Sequence, residues 1–321
     1  MAAADLWQLY RIASQYYREG RTQEEISAKE NISRSQVSRH LEQARRLGIV
    51  KIDVSLPTSL KEDSLTGFLE RNLKLERVIL APVEESSGID GIRDAIAVTA
   101  AANLPKLLKG SHVIGLGWGE TMYRTASALP HRTIGPDPVF VPLIGASGSS
   151  KPSLQINTII DRFSEHLQGD RFFVNLPAFR EKDFPLTTYE NKRLRLLKEY
   201  WESVDTAIIG LGNKESGFSL FDEEVSESAL TRITRADVVG DILSQFFFED
   251  GTLLTPDESY HTNAYPAARL RTLSRSICLA GGREKVVPLL TAARAGYFKT
   301  LITDTRTAHA LYEQIRREIE S

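Results

Sequence analysis

The sequence contains a single cysteine and no long hydrophobic run. With only Cys278 among 321 residues, the chain cannot form an internal disulfide or a cysteine-rich zinc site, and we expect a reducing, cytoplasmic environment. No apolar stretch approaches the roughly 18 residues of a membrane-spanning helix. The first residues contain Asp5 and Arg11 and lack the pattern of a secretory signal. No cluster of potential ligands has a recognisable metal-binding spacing, so we predict neither a metal nor a cofactor.

An excess of charge of one sign is also missing, because 40 Lys and Arg are balanced by 42 Asp and Glu, a net charge of −2. The distribution is uneven. Residues 1–56 carry nine basic and seven acidic side chains, a net charge of +2, and the remaining residues carry −4. Within residues 33–51, five basic residues accompany Glu42 as the one acidic residue. A small basic segment joined to a larger acidic body is typical of a nucleic-acid-binding module attached to a second domain.

Three helices are predicted at the N-terminus. Apolar residues spaced i, i+3, i+4 and i+7 predict the first helix over residues 5–18. Thr22 stands three residues before Glu25, a capping box that starts a short second helix. Ser33 stands three residues before Gln36, a second capping box that starts a longer third helix. A short helix, a tight turn and a capped longer helix are the parts of a helix-turn-helix.

The third helix has a predicted buried face and a predicted outward face. Val37, Leu41, Ala44 and Leu47 form the apolar side, which leaves donor-rich side chains outward at the N-terminal end. Such side chains can contact base edges and phosphates in a major groove. The predicted DNA-binding residues, at both helix starts and along the third helix, are Thr22, Gln23, Ser33, Arg34, Ser35, Gln36, Ser38, Arg39, Arg45 and Arg46.

A winged helix-turn-helix over residues 1–56 is the interpretation that we favour for this segment. Residues 49–54 alternate apolar and polar side chains, which predicts a half-buried strand or wing. The alternative is a three-helix packing module without a DNA role. Two capping boxes, the tight turn and the outward donors together favour DNA binding.

Residues 57–321 form a predicted second domain of the α/β class. Pro57, Thr58 and Ser59 interrupt the preceding pattern and predict a hinge. Short apolar runs then alternate with helical patterns, which predicts βαβ units and a mostly parallel sheet. The predicted strands are 78–81, 112–116, 139–143, 206–210, 276–280 and 300–303. The predicted helices fall near 89–108, 119–129, 153–167, 190–203, 284–295 and 305–319.

Several predicted strands end in glycines. The clearest case is VIGLGWGET at residues 113–121, where a strand passes through glycines into a helix whose backbone N–H groups can bind an anion. A tight strand–helix turn without a ligand is the alternative, and the segment does not match the dinucleotide-binding pattern G-x-G-x-x-G. Residues 142–150, 210–212 and 280–282 are further strand ends of this kind. The carboxyl ends of parallel strands share one edge, so these loops predict a ligand crevice.

The motifs together resemble those of the SorC family of bacterial transcriptional regulators. The segment TQEEISAKENISRSQVSRHLEQARRLGIVKIDV is similar to the DNA-binding part of the family, and GLGWGET, VVGDILSQFF and AGGREK are similar to three motifs of its sugar-binding domain. The resemblance covers nearly the whole chain. It implies a Rossmann-like effector domain similar to sugar-phosphate isomerases, an effector that is a sugar, polyol or sugar phosphate, and operator binding as a tetramer. Repressors are common in the family.

The resemblance also implies a set of effector-binding residues, position by position. Thr121 would supply a hydroxyl, Asp241 would accept hydrogen bonds from sugar hydroxyls, and Lys285 would pair with phosphate or hydroxyl oxygens. Residues 145–147 match the loop that surrounds the phosphate in phosphosugar-binding members. The implied effector-binding residues are Gly117, Trp118, Gly119, Glu120, Thr121, Gly145, Ala146, Ser147, Gln155, Asn157, Asp241 and Lys285.

This sequence departs from the phosphate-binding members at two positions. Ile144 stands where several of them carry Arg or Lys, and Ala146 replaces the second of two glycines. A neutral sugar or polyol therefore stays an option beside a sugar phosphate. For the single residues, Asp241 bracing a loop, a solvated Lys285 and a Trp118 packed under its loop are the alternatives. For the whole chain, the alternatives are a sugar-phosphate isomerase with a fused regulatory module and an oligomerisation scaffold.

Overall fold

The structure is a computed structural model that describes residues 3–50, 58–148, 151, 155–181, 185–214, 231, 235–255 and 260–320. The chain divides into two units, Met1–Thr58 and Ser59–Ser321. Each unit has its own cluster of buried apolar side chains. No helix in the described ranges is long and apolar enough to cross a membrane.

Three helices build the N-terminal unit: α1 (Ala3–Tyr17), α2 (Gln23–Glu30) and α3 (Arg34–Arg46). Both predicted capping boxes are confirmed. The hydroxyl of Thr22 accepts the N–H of Glu25 at 3.3 Å, and the hydroxyl of Ser33 accepts the N–H of Gln36 at 3.2 Å. Between the helices, Asn31 adopts a left-handed φ of 52°, which ends α2 and turns the chain into α3. The buried side chains of this unit are Leu9, Ile12, Ala13, Ile26, Val37, Leu41 and Ala44.

Two sequence predictions for this unit are wrong in part. Leu47, placed on the apolar face of α3, is 47% exposed because α3 ends at Arg46 and Leu47 is the capping residue. Ile49 and Val50, the start of the predicted strand or wing, form a bend and not a strand. The rest of that prediction, at residues 51–54, lies outside the described residues.

A seven-stranded parallel sheet forms the centre of the second unit, with the strand order β1-β12-β11-β6-β2-β3-β4. Its strands are β1 (Arg77–Ala81), β2 (Val113–Leu116), β3 (Val139–Pro142), β4 (Asp170–Arg171), β6 (Thr206–Ile209), β11 (Arg275–Leu279) and β12 (Thr300–Asp304). The accompanying helices are α4 (Thr58–Leu73), α5 (Ile89–Leu107), α6 (Glu120–Ala128), α7 (Ile156–Leu167), α8 (Thr188–Ser203), α9 (Val286–Arg294) and α10 (Thr305–Glu320). The six predicted strands and six predicted helices are all present.

The strand order reverses between β2 and β6. From β2 the chain proceeds outward through β3 and β4, and from β6 it proceeds in the opposite direction through β11 and β12. The loops that leave β2 and β6 therefore belong to connections that run in opposite directions along the sheet, and we call the place where these loops meet the crevice. Such a switch point is where ligands bind in open α/β sheets.

Two small antiparallel sheets lie next to the main one. The first joins β7 (Gly212–Asn213), β8 (Val238–Ile242) and β9 (Gln245–Phe248) and follows β6 directly. The second joins β5 (Phe179–Glu181) to β10 (Tyr260–Thr262). These strands have two to five residues each, and no strand was predicted at any of them.

The helix α4 is a difference between the sequence prediction and the structure. Thr58 and Ser59, predicted as part of a hinge, form the first turn of α4, and Pro57 lies outside the described residues. Leu65, Leu69 and Leu73 are buried at a spacing of four residues, so the helical pattern was present in the sequence.

We expect Gly115→Ala in β2 to lower the free energy of unfolding by about 1–3 kcal/mol, the usual cost of overpacking a core. A Cβ atom at this position would lie 2.3 Å from Cδ2 of Leu143. Urea denaturation measures the effect. The matched control is Gly91→Ala in α5, where the added Cβ makes only an ordinary contact with Ser87. There the higher helix propensity of alanine should stabilise by up to about 1 kcal/mol, and equal effects of the two substitutions would contradict the packing of β2.

Candidate functional site

The outward face of α3 carries the predicted DNA-binding side chains. Val37, Leu41 and Ala44 are buried against α1 and α2, and this orients the opposite face of α3 to solvent. All the predicted residues except the half-buried Gln23 are exposed. The exposed cations of α3 are Arg34, Arg39, Arg45 and Arg46.

Some of these side chains already have partners in the unit itself. Gln36 accepts the N–H of Ser33 at 2.8 Å and so completes the cap of α3. Arg34 forms an ion pair with Glu24 at 3.0 Å, and both side chains are about two-thirds exposed. Exposed pairs of this kind contribute little, so Arg34 can exchange Glu24 for a phosphate or a base at small cost. Arg39 donates a long hydrogen bond, 3.4 Å, to the carbonyl of Ser35.

In the second unit, the glycine loop after β2 packs closely against the loop after β6. Gly117 donates its N–H to the carbonyl of Ile208 at 2.9 Å, and a Cβ atom at Gly210 would lie 3.3 Å from the carbonyl oxygen of Trp118. Gly119 has φ of 126°, a conformation that favours glycine, and it precedes α6. Trp118 is buried in the core, which agrees with a packing role for its ring.

Asp241 lies beside this crevice, on β8. It pairs with Gly212 of β7, and a Cβ atom at position 212 would lie 1.8 Å from Oδ1 of Asp241. Only glycine therefore leaves room for the carboxylate. Oδ2 of Asp241 accepts the backbone N–H of Ser244 at 3.2 Å. The residue is 8% exposed, so water reaches its charge poorly.

The AGGREK loop after β11 carries Lys285 to the same place. The 3₁₀ turn Arg283–Lys285 packs against β7, the strand that pairs with Asp241. A buried network holds the loop, because Gly282 donates its N–H to the hydroxyl of Thr307 at 2.8 Å and that hydroxyl donates to the carboxylate of Asp304. A Cβ atom at Gly281 would lie 2.3 Å from Asp304 Oδ2, so glycine is required there as well.

The electrostatics of Asp241 and Lys285 follow from burial. Burial raises the pKa of Asp241 to about 6, although the Lys285 charge and the Ser244 N–H act in the opposite direction. Burial likewise lowers the pKa of Lys285, opposed by Cys278, Glu284 and Asp241. The buried Asp241 carboxylate is thus short of solvation, whereas Lys285 is half-buried. A ligand that donates hydrogen bonds to the carboxylate and accepts them from the ammonium group would stabilise both charged forms.

Glu120 and Thr121 begin α6 but have different surroundings. Glu120 accepts a hydrogen bond from Nε of Arg124 at 3.0 Å, and the same guanidinium pairs with Asp90 at 2.7 Å and Asp94 at 2.8 Å. The hydrogen bonds with Asp94 and Glu120 raise the pKa of Arg124. Thr121 is buried next to the glycine loop and its carbonyl accepts the hydroxyl of Thr125. Glu120 is therefore tied to α5 through Arg124, whereas Thr121 lies at the crevice.

The loop after β3 differs from the expected phosphate-binding loop. The N–H groups of Gly145 and Ala146 donate to the carbonyls of Asn263 and Leu176, at 2.8 and 2.7 Å, so they are not available to a ligand in this conformation. Ile144, the residue in place of a cation, is completely buried.

The remaining polar residues of this region contact other loops. Gln155 donates to the carbonyl of Ser147 at 3.3 Å. Asn157 bonds both backbone groups of Val174, at 2.7 and 3.0 Å, and so braces the segment after β4. The effector roles of these two side chains stay predictions.

Two contributors to the site had no sequence prediction. Leu243, in the turn after β8, approaches Gly117 so closely that a Cβ atom there would lie 3.1 Å from Cδ2 of Leu243. The Asp304–Thr307 pair positions the AGGREK loop from a neighbouring strand. The D-x-x-T spacing of that pair is a common helix-start pattern, but no sequence signal connects it to a loop more than 20 residues earlier.

The geometry defines a class of protein: a helix-turn-helix with an exposed cationic helix, joined to a parallel α/β domain with a polar crevice at its switch point. Comparison with known proteins agrees. Residues 60–313 match Sugar-bind, a sugar-binding domain family. The chain is 28% identical over 321 residues to the sorbitol operon regulator of Klebsiella pneumoniae, covering 96% of this chain and 98% of that protein. It is 27% identical to the deoxyribonucleoside regulator of Bacillus subtilis, covering 94% and 95%.

A solved structure gives the same result for both parts of the chain. The crystal structure of the full-length sorbitol operon regulator SorC from Klebsiella pneumoniae superposes with a TM-score of 0.69 at 25% identity. The superposition covers 97% of this chain and 99% of that one. The chain belongs to the SorC family of sugar-binding transcriptional regulators.

We expect Asp241→Asn to stabilise the protein at pH 7.5 by roughly 2–3 kcal/mol and to have little effect near pH 4. The pKa of Asp241, about 6, lies above its unfolded value, so wild-type stability falls as pH rises from about 4 to about 6, and the amide removes this loss. Urea denaturation at several pH values measures the difference. As a control, Asp250→Asn should destabilise slightly at pH 7.5, because Thr252 lowers the pKa of that exposed carboxyl. A gain from Asp241→Asn that is equal at both pH values would contradict the buried ionised carboxylate.

Proposed function

We propose that this protein is a DNA-binding transcriptional regulator of carbohydrate metabolism whose operator affinity is controlled by a small carbohydrate effector. The observation that carries the proposal is the convergence of Asp241 and Lys285 on the switch-point crevice of a chain that also presents a capped, cationic helix. The crevice supplies a polar ligand site, and the cationic helix α3 supplies side chains that can contact a major groove.

The effector that fits best is a sugar, a polyol or one of their phosphate esters. A carboxylate and an ammonium group at the same crevice can bind neighbouring hydroxyls, which both donate and accept hydrogen bonds. The buried Ile144 and the bonded N–H groups of Gly145 and Ala146 favour a neutral compound over a phosphate ester. By their names, one relative is a sorbitol operon regulator and another is a deoxyribonucleoside regulator, which supports an effector from carbohydrate metabolism.

The effector acts by shifting a population of states. It can change operator binding only if its affinity differs between the DNA-competent and DNA-incompetent conformations. We propose that the protein is a repressor and that effector binding releases it from the operator.

A regulatory role without catalysis is part of the proposal. An isomerase on such a sheet needs a general base and an acid partner within reach of the sugar. Of the two candidate carboxylates, Glu120 is engaged by Arg124 and is therefore not a free general base. The relatives are transcriptional regulators, which supports the same conclusion.

A homo-oligomer, most simply a tetramer built as a dimer of dimers, is the proposed assembly. Operator sites with two half-sites need two recognition helices at a fixed spacing. The outer face of α1 exposes Trp7, Tyr10 and Tyr17, to 69%, 43% and 39%. Their spacing of three and seven residues places them on one stripe of the helix, which suits pairing with another helix.

We expect Arg34→Ala and Arg39→Ala each to weaken operator binding by about tenfold, the usual effect of losing one base or phosphate contact. A gel shift with duplex DNA from the region upstream of the gene measures the affinity. The control is Arg18→Ala, which removes an exposed charge of the same unit outside α3. Wild-type affinity in both α3 variants, or an equal loss in the control, would contradict the assignment of α3.

We expect Lys285→Met to retain operator binding and lose the effector response, because the ammonium group belongs to the crevice of the second unit, whereas α3 belongs to the N-terminal unit. Thermal shift with D-sorbitol, D-fructose, sorbitol 6-phosphate, fructose 6-phosphate and deoxyribose 5-phosphate tests the response, since a ligand selective for the native state raises the melting temperature. Lys109→Met, at an exposed turn, is the matched control. An unchanged shift in Lys285→Met would rule out this crevice as the effector site.

A further inference from the structure

The turn between β8 and β9 has an unusual backbone. Its two central residues, Leu243 and Ser244, have φ of 50° and 55°. Two-residue hairpin turns with positive φ at both positions strongly prefer Asn, Asp and Gly, because a Cβ atom is poorly tolerated there. Leucine and serine in these places mark a local strain, and strain of this kind concentrates at ligand sites.

The turn connects two of the motifs that form the crevice. The backbone N–H of Ser244 donates to Oδ2 of Asp241 at 3.2 Å. The side chain of Leu243 lies against Gly117, the first residue of the glycine loop at the crevice. Ser244 thus lies three residues after the buried carboxylate and is bonded directly to it.

The hydroxyl of Ser244 is buried and has no hydrogen-bond partner among the described residues. Ser244 is 3% exposed, a burial similar to the 8% of Asp241 and Thr121. The burial of Ser244 is therefore compatible with contact to a ligand that reaches Asp241 and Thr121. Buried hydroxyls are normally paired, and an orphaned one costs free energy unless something binds it.

Strain and an unpaired hydroxyl at the same residue have a common explanation. We propose that Ser244 is a further effector-binding residue, whose hydroxyl exchanges a hydrogen bond with a hydroxyl of the bound carbohydrate next to the one held by Asp241. A serine hydroxyl can donate and accept, so it complements a carboxylate that only accepts and an ammonium group that only donates. The inference rests on the proposed function, since it assigns one more contact in the same crevice.

Ser244→Gly distinguishes a binding role of Ser244 from a folding role, because we expect it to stabilise the unliganded protein and to weaken effector binding. Glycine relieves the left-handed backbone, so the melting temperature of the unliganded protein should rise. Loss of the hydroxyl should raise the half-saturating concentration of the most effective compound, among D-sorbitol, D-fructose and their 6-phosphates, by roughly fivefold. Ser244→Ala keeps the strain and removes only the orphaned hydroxyl, so it should raise the melting temperature less than Ser244→Gly does and weaken binding to the same extent.

Ser276→Ala is the matched control. Ser276 on β11 also has a buried hydroxyl without a partner in the described part of the chain, but no contact of it with the crevice residues is seen. Its substitution should leave the titration of each compound unchanged. Wild-type titrations in both Ser244 variants would overturn the inference and leave the proposed function standing. If none of the four compounds shifts the wild-type protein, the carbohydrate-effector proposal fails and the Ser244 assignment fails with it.

Discussion

The close approach of the Asp241 carboxylate to the backbone of Gly212 is the contact on which the crevice depends. Gly212 lies on β7, which follows β6 directly, so its pairing with Asp241 of β8 places a buried acid beside the switch point of the sheet. Burial makes the ionised carboxylate costly, and Lys285 reduces that cost through its charge. Gly117 and Gly281 have the same role of leaving room, because a Cβ atom would lie 3.1 Å from Leu243 at the first position and 2.3 Å from Asp304 at the second. A polar ligand binds well in such a place because its hydrogen bonds stabilise a charge that water reaches poorly.

In the N-terminal unit, the polar residues that cap α3 are different from the polar residues that are exposed for recognition. Ser33 and Gln36 satisfy the N-terminal backbone groups of α3, and this fixes where the helix begins. Arg34, Ser38 and Arg39 then lie exposed on the first two turns, free of any burial requirement. The start of the helix and the direction of its cationic face are set by different side chains. Substitutions of the arginines can therefore change DNA recognition with little effect on the fold.

The sequence predicted the main elements well and the short ones poorly. Six strands and six helices of the second unit, and both capping boxes, were found because long apolar periods and capping residues are local signals. The helix α4 was missed although Leu65, Leu69 and Leu73 repeat every four residues, because Pro57 and Ser59 suggested a break. The strands β4, β5 and β7–β10 were not predicted. Four of them have only two or three residues, too few for a pattern, and β8 and β9 are defined by antiparallel pairing outside the main sheet.

The sequence by itself determined that a basic helix-turn-helix precedes an α/β domain, and its motifs indicated which loops carry polar residues. Capping boxes and periodicity express interactions between neighbours in the chain, so no tertiary information is required to read them. Only the tertiary structure showed that Asp241 lies over Gly212, that the N–H groups of Gly145 and Ala146 are already bonded, and that Asp304 holds the loop of Lys285. These contacts join residues that are far apart in the chain. The burial, hydrogen bonding and electrostatics of those residues depend on the order of the strands in the sheet.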